Sequence, residues 1–178
     1  MKTFIAWSGA RSRLLANALV HWIPDVIQRA KTWTSDNDIE AGAQWISNLT
    51  RGLDDTRFGI LCITPENLNS RWIMFEAGSM SKGVGDARVV PYLFQVQVSD
   101  IEFPLAQFQG VTADEAGTYK LLKSLNGALK PALTEERLRR SFERSWPDLQ
   151  QEIDKIPSEV PHLPRPNAIG RESAGHTK

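Results

Sequence analysis

The segment RWIMFEAGSM, residues 71–80, holds the residues whose types and spacing best suit chemistry. Trp72 and Glu76 are four residues apart, so a helix over this segment would place both side chains on one face. Apolar residues flank the acid on both sides. In a partly dry site near aromatic surface, this acid could hold its charge for use in a reaction if neighbouring groups offset the desolvation that opposes the charged form. The alternative is that Glu76 points to solvent and Trp72 belongs to the core.

A second candidate is the segment WSGARSR, residues 7–13, where a predicted strand leads into a predicted helix. A glycine turn before a helix offers backbone N–H groups to a phosphate. Arg11 and Arg13 could reach such a phosphate, or they could be ordinary solvated charges. The segment lacks the GxGxxG pattern of dinucleotide-binding folds and the lysine of a P-loop, so by itself it is a weak signal.

Five short segments have the composition of strands. The clearest is RFGILCIT, a continuous apolar run typical of a strand buried on both faces of a parallel sheet. The predicted strands are 3–7, 30–33, 57–64, 87–94 and 107–111. Pro91 in the fourth segment predicts an edge or irregular position, because proline cannot donate a hydrogen bond to a sheet ladder.

Helical spacing of apolar residues between positions 14 and 23 predicts a first helix, which Pro24 is expected to end. Ser70 is the predicted N-cap of a helix that begins near Trp72, and Asp114 is the predicted cap of a leucine-rich helix. Strands and helices that alternate along the chain predict a parallel sheet with helices on both faces. In such sheets ligands bind outside the carboxyl ends of the strands, which selects the loops 8–12, 34–42 and 64–71.

The predicted organisation is a sheet domain over residues 1–132, a helical extension over 133–156 and a disordered tail over 157–178. Thr134 is expected to cap the extension. Because Pro147 fits poorly inside a helix, we expect a second helix there, with Ser145 as its N-cap. The sequence leaves open whether this extension packs on the sheet domain or mediates assembly.

Composition excludes several functional classes. The 178 residues have a formal net charge of zero, which argues against binding to nucleic acid. The single cysteine, Cys62, allows no disulfide within the chain and is expected to be an inert core residue. No signal peptide or membrane span is predicted, so the expected location is the cytoplasm. The acidic segment SDNDIEAG, residues 35–42, lacks the spacing of a calcium loop, and no metal site is predicted.

Three segments in order, FIAWSGARSR, IEAGAQWISNL and RFGILCITPENLNSRWIMFEAGS, resemble successive blocks of the Toll/interleukin-1 receptor (TIR) domain family. The resemblance spans about residues 3–130. The chain looks most like the short bacterial TIR proteins of anti-phage signalling systems such as Thoeris. The resemblance implies a five-stranded, flavodoxin-like α/β fold.

Many members of that family cleave NAD+, and the resemblance assigns the catalytic acid to Glu76. It also implies that Trp7, which closes the first strand, faces nicotinamide, and that residues 35–42 form the BB loop used in assembly. Ala6 stands where the family usually has serine, and Ser35 stands where many members have aspartate. NAD+ is then the substrate, and no separate cofactor is expected. The predicted substrate-binding residues are Trp7, Ser8, Arg11, Ser35, Asp38 and Trp72.

The expected function is an NAD+ nucleosidase or ADP-ribosyl cyclase that releases nicotinamide. Its product would be ADP-ribose, or a cyclic or modified form that signals to a separate effector in anti-phage defence. Self-association through TIR–TIR contacts is expected. The alternatives are a non-catalytic TIR–TIR interaction module and an effector that acts on host TIR signalling. The sequence leaves the product, the trigger and the resting oligomeric state open.

Overall fold

The structure, a computed structural model, describes residues 1–34, 56–71, 73, 74, 77, 78 and 88–158. Within them, five strands form one parallel sheet in the order β2-β1-β3-β4-β5. This is the flavodoxin-like order that the sequence predicts. The strands are β1 (Lys2–Ala6), β2 (Lys31–Thr34), β3 (Thr56–Ile63), β4 (Arg88–Leu93) and β5 (Val111–Thr112).

The helices of the described residues include α1 (Ala10–Val26), α2 (Glu115–Gly127) and α3 (Glu135–Asp154). Two short 3₁₀ turns, Val98–Asp100 and Leu105–Gln107, lie between β4 and β5. Residues 71, 73, 74, 77 and 78 also have helical backbone. Two of the predicted caps are confirmed, because the Asp114 carboxylate accepts from the Gly117 N–H at 2.7 Å and the Thr134 hydroxyl from the Arg137 N–H at 3.4 Å. No helix among the described residues combines the length and apolarity needed to cross a membrane.

Alternate residues of each strand point to opposite faces of the sheet. Both faces are buried, each by its own cluster of apolar side chains. On one face Ile5, Ile60 and Tyr92 pack against α1, α2 and α3. On the other face Phe4 and Leu61 pack with further apolar side chains that include two of the helical residues after β3, Ile73 and Ala77. The continuous apolar run that predicted a doubly buried β3 is therefore confirmed.

The sequence predicted that Pro24 ends the first helix. This prediction is wrong, because α1 continues through Pro24 to Val26. A proline inside a helix removes the N–H that would bond the carbonyl four residues earlier, which here belongs to Val20. The hydroxyl of Thr32 in β2 donates to that carbonyl at 2.7 Å. A donor from the neighbouring strand thus replaces the missing backbone N–H, and the helix can continue.

Pro147 does not separate two helices either, because α3 runs unbroken from Glu135 to Asp154. Ser145 lies inside this helix and is not an N-cap. Its carbonyl accepts a hydrogen bond from Trp22 Nε1 of α1 at 2.6 Å, and the packing face of α3 is buried against α1 and α2. Pro147 lies on the exposed side of the helix. Tertiary packing on the other side outweighs the one backbone hydrogen bond that proline removes.

Pro91 does not mark an edge strand, because β4 lies between β3 and β5. Backbone groups two residues apart in a strand point to the same neighbour. The Leu93 carbonyl accepts from the Ala113 N–H just after β5, so the Pro91 nitrogen also faces the β5 side. Since β5 pairs with β4 only from Tyr92 onward, the N–H that Pro91 lacks would have no β5 partner. The prediction that β4 is an edge strand is therefore wrong. Proline is tolerated at position 91 because β5 does not extend far enough to pair with it.

The helix α3 packs lengthwise on α1, which answers where the extension lies. Ser141 Oγ donates to the Val26 carbonyl at 3.1 Å near one end of the pair. Phe142 and Trp146 join the same buried cluster as Trp22. The chain continues beyond the last described residue, Ser158, and most of the predicted disordered tail lies outside the described residues.

We expect Thr32→Val to lower the free energy of unfolding by about 1 kcal/mol, because the Val20 carbonyl loses its donor. Pro24→Ala supplies the backbone N–H that proline lacks, so in that background Thr32→Val should cost much less. Urea unfolding of the four proteins in this double-mutant cycle measures the difference. An equal cost in both backgrounds would show that Thr32 does not compensate for Pro24.

Candidate functional site

The candidate site lies where the loop after β1 and the loop after β3 meet, at the carboxyl edge of the sheet. Three of the seven predicted site residues are described there, namely Trp7, Ser8 and Arg11. The other four lie outside the described residues: Ser35, Asp38, Trp72 and Glu76.

The loop after β1 is fixed to the end of β3 by Ser12 in the first turn of α1. Its hydroxyl donates to the Cys62 carbonyl at 2.7 Å and accepts from the Ser8 N–H at 3.2 Å. Gly9 precedes α1 with φ +94°, a conformation that favours glycine. The chain therefore turns at Gly9 directly into α1.

Asn67 is the residue that joins the two loops, and the sequence analysis missed it. Its side chain is buried, at 2% exposure. The amide nitrogen donates to the Ser8 carbonyl at 3.0 Å and to the Cys62 carbonyl at 2.9 Å. The amide oxygen accepts from the Thr64 N–H at 2.8 Å. An asparagine shortly after a strand signals such a local turn, but its contact with Ser8 is not local and could not be inferred.

The two loops are also joined by their serines. Ser70 Oγ donates to Ser8 Oγ at 3.0 Å. The Ser70 carbonyl accepts from the Met74 N–H at 3.1 Å, as expected where a helix begins. The residue that follows the aromatic end of β1 is therefore hydrogen-bonded to the residue that opens the segment containing Trp72 and Glu76.

Trp7 is largely buried, at 8% exposure, and belongs to the core on the α1 face. The guanidinium of Arg13 lies over the indole, 5.3 Å from its centre. Arg13 is exposed to solvent, as one of the two alternatives predicted, and its guanidinium also contacts the indole face. The indole Nε1 is also buried and has no hydrogen-bond partner among the described residues. The ring face of Trp7 already holds one planar cation, as the negative face of an aromatic ring favours.

Arg11 is buried, at 4% exposure, which excludes the solvated alternative. Its Nε donates to Glu66 Oε1 at 3.0 Å. Its Nη1 donates to the carbonyls of Pro157, at 3.3 Å, and Ser158, just beyond α3. The guanidinium also lies 5.5 Å from the centre of the Phe94 ring. One side chain thus connects α1, the loop after β3, the end of β4 and the end of α3.

The Nη2 nitrogen of Arg11 is buried and has no hydrogen-bond partner among the described residues. An unpaired buried donor costs about 1–3 kcal/mol. The arginine is therefore held by its Nε and Nη1 atoms while part of its hydrogen-bonding capacity stays unused.

A groove of about 760 Å³ among the described residues lies elsewhere, along β4, β5 and α2. Arg88, Gln109, Asp114 and Lys120 are among its lining residues, whereas Trp7, Ser8 and Arg11 are not. Asp114 is committed to capping α2, and hydrogen bonds from the Thr112 hydroxyl and the Gly117 N–H lower the pKa of its carboxyl. We therefore place the candidate site at the carboxyl edge, where buried polar groups from two loops converge, and not in this groove.

Comparisons with known proteins identify a family. A model of the TIR domain family matches residues 4–123. A search of curated proteins gives no match.

Three solved structures resemble this chain in fold. The TIR domains of the activated Roq1 resistosome, which directly recognises the pathogen effector XopQ, are 18% identical with a TM-score of 0.42, covering 87% of this chain and 96% of that chain. An azoreductase from Bacillus anthracis str. Sterne is 8% identical with a TM-score of 0.40, covering 86% and 98%. The azoreductase AzrA is 8% identical with a TM-score of 0.36, covering 86% and 99%.

We expect Asn67→Asp to lower the free energy of unfolding by about 3 kcal/mol at pH 7, because a carboxylate would face two carbonyl oxygens. This environment raises the pKa of the introduced acid above its unfolded value of about 3.9, so the loss should grow as the pH rises from about 4 to 7. Asn126→Asp is the matched control, since buried Asn126 also donates to a carbonyl, that of Leu133.

Amide hydrogen exchange separates the two variants. Both should be less stable, but only Asn67→Asp should speed exchange at residues 8 and 9, relative to the change in global stability. Unchanged exchange in that loop would mean that Asn67 does not hold it.

Proposed function

Because the chain belongs to the TIR domain family, we propose that it is an enzyme that cleaves NAD+ and releases nicotinamide. The other product is ADP-ribose, or a cyclic or modified form of it. The observation that supports this proposal is the hydrogen bond between Ser8 and Ser70. It ties Ser8, which follows Trp7 just after β1, to the start of the segment that carries Trp72 and Glu76.

Cleavage of NAD+ requires few catalytic groups from the protein, because nicotinamide leaves as a neutral molecule. The bond between the ribose C1′ and the pyridinium nitrogen breaks, and its electron pair goes to nicotinamide, which leaves as a neutral molecule. Positive charge builds on the ribose, so the transition state resembles an oxocarbenium ion. A single carboxylate near the ribose stabilises that charge, and this is the role proposed for Glu76. The nucleophile's oxygen or nitrogen then bonds to C1′ and its proton passes to solvent.

The remaining predicted residues take binding roles in this proposal. The Trp7 ring face, now covered by the guanidinium of Arg13, is proposed to receive the planar pyridinium cation in the same manner once that guanidinium moves aside. Trp72 forms a wall of the pocket. Ser8 and Arg11 contact the substrate from the α1 side, whereas Ser35 and Asp38 contact it from the BB loop.

We also propose that the product is a diffusible signal to a separate effector in anti-phage defence, made in the cytoplasm by protein that self-associates through TIR–TIR contacts. The motif resemblance to short bacterial TIR proteins supports this setting. Water as nucleophile would give linear ADP-ribose, and a group of the same ADP-ribose would give a cyclic product.

A non-catalytic TIR–TIR interaction module is the second candidate function, and one observation favours it. Phe103 and Val98, between β4 and β5, are exposed at 84% and 55%. Large apolar side chains with this exposure suit contact with another protein. This function would require neither Glu76 nor nicotinamide release.

We expect Glu76→Gln to reduce nicotinamide release about 100-fold or more, because the neutral amide cannot stabilise the cationic transition state as a carboxylate does. Chromatography of NAD+ incubated with concentrated protein measures the release, and mass analysis of the second product distinguishes hydrolysis from cyclisation. Glu115→Gln is the matched control, since Glu115 is exposed in the first turn of α2.

Full nicotinamide release by Glu76→Gln would refute the catalytic assignment. If the unchanged protein releases no nicotinamide at any concentration, including in lysate from phage-infected cells, the interaction module becomes the better function.

A further inference from the structure

We propose that the turn after α3 competes with anionic ligands for Arg11. The main-chain carbonyls of Pro157 and Ser158 hold the guanidinium, and a diphosphate must displace them before it can bind bidentately. This deepens the proposed function and rests on it for the identity of the natural ligand, since NAD+ carries a diphosphate.

The hydrogen bonds of Arg11 show what is available to a ligand. A guanidinium has five N–H groups, one on Nε and two on each Nη. Nε donates to Glu66, and Nη1 donates to both carbonyls of the turn. Nη2 is buried and has no partner among the described residues. A bidentate contact with phosphate needs two adjacent nitrogens, and every adjacent pair includes one that is already occupied.

The occupants of Nη1 are the ones that an anion can replace. Carbonyl oxygens are neutral acceptors, whereas phosphate oxygens carry charge and can pair with an arginine through two parallel hydrogen bonds, which adds both energy and geometric specificity. Displacing the turn frees Nη1 beside the unpaired Nη2, which gives two nitrogens on the same edge of the guanidinium. Glu66 can keep its contact with Nε and hold the arginine in place.

The packing of α3 explains why the turn reaches this position. Ser141 and Ser145 of α3 contact Val26 and Trp22 near the end of α1. The far end of α3 therefore lies beside the start of α1, where Arg11 is. Ile156 anchors the turn in the core at 5% exposure. The turn is thus built into the fold at the carboxyl edge that holds the candidate site.

A purely structural role explains these contacts less well. An arginine that served only to fasten the end of α3 would gain from pairing all of its buried donors, yet none of the described residues accepts a hydrogen bond from Nη2. The fastening atoms on the other side are main-chain carbonyls with no charge. This arrangement holds the turn closed through acceptors that a charged oxygen can replace.

Hydrogen–deuterium exchange of the full-length protein, with inorganic pyrophosphate as the probe, tests the proposal. Saturating pyrophosphate should speed exchange in the peptide that covers residues 154–158, and it should leave a peptide from α2 unchanged. Arg11→Gln should show fast exchange at residues 154–158 without pyrophosphate and no further response to it. Pyrophosphate that binds without loosening the turn, or that binds equally well to Arg11→Gln, would overturn the proposal.

A second pair of variants keeps the proposal testable if Arg11→Gln does not fold. Ile156→Ser loosens the turn and leaves Ser8, Arg11 and Glu66 unsubstituted. Ile27→Ser removes the same side chain from the same core at the opposite edge of the sheet. If the turn is open roughly one-tenth of the time in the unchanged protein and almost all of the time in Ile156→Ser, pyrophosphate should bind the variant about tenfold more tightly. Ile27→Ser should show no gain, and equal affinities in all three proteins would contradict the proposal.

These outcomes are independent of NAD+ cleavage, because pyrophosphate has no glycosidic bond. If the turn responds to pyrophosphate but the protein releases no nicotinamide, the proposal of a competing turn is supported and the proposed enzymatic function is refuted. If the protein releases nicotinamide but pyrophosphate does not change exchange in the turn, the enzymatic function is supported and the proposal of a competing turn is refuted.

Discussion

The carbonyl oxygen of Cys62, near the end of β3, is the point on which the carboxyl edge depends. It accepts hydrogen bonds from Ser12 of α1 and from the buried amide of Asn67. Asn67 also donates to the Ser8 carbonyl, so one amide fixes the loop after β1 against the loop after β3. Buried polar groups of this kind cost free energy when unpaired, and this requirement gives the two loops one mutual arrangement.

Four of the strands and two of the caps were predictable because their causes are local. The fifth predicted strand, 107–111, meets the observed β5 only at Val111, and the predicted cap Ser145 lies inside α3. An apolar run such as RFGILCIT suits only a buried strand or helix segment, and Asp114 and Thr134 bond N–H groups three residues away. The three prolines were misjudged because their tolerance depends on other elements. Pro24 relies on Thr32 in the adjacent strand, and α3 continues through Pro147 because its other face is packed on α1 and α2. Propensity rules describe an isolated helix and omit such contacts.

The candidate site divides in the same way. The place of Trp7 and Ser8 follows from the end of a predicted strand, since parallel sheets put such ends at one edge. The contacts of Arg11 could not be predicted, because Glu66 and the turn after α3 are 55 and 146 or more residues away. Sequence offered two roles for this arginine, a phosphate ligand or a solvated charge. Burial excludes the second and adds a third, an arginine already occupied by the protein's own backbone.

The contacts of Arg11 connect the end of α3 to the candidate site. Arg11 joins the turn to Glu66, which stands one residue before Asn67, so a change at the turn reaches the loop that holds Ser8 through adjacent residues. Coupling between two places requires an element with two arrangements that both places bias. The guanidinium of Arg11 is such an element, because its Nη1 can bond the turn or an anion but not both. An anion that must first displace the protein's own carbonyls binds with a reduced apparent affinity. That affinity equals the intrinsic affinity multiplied by the fraction of time that the turn is open. Any partner that binds the end of α3 and draws the turn away would therefore strengthen anion binding without touching the site.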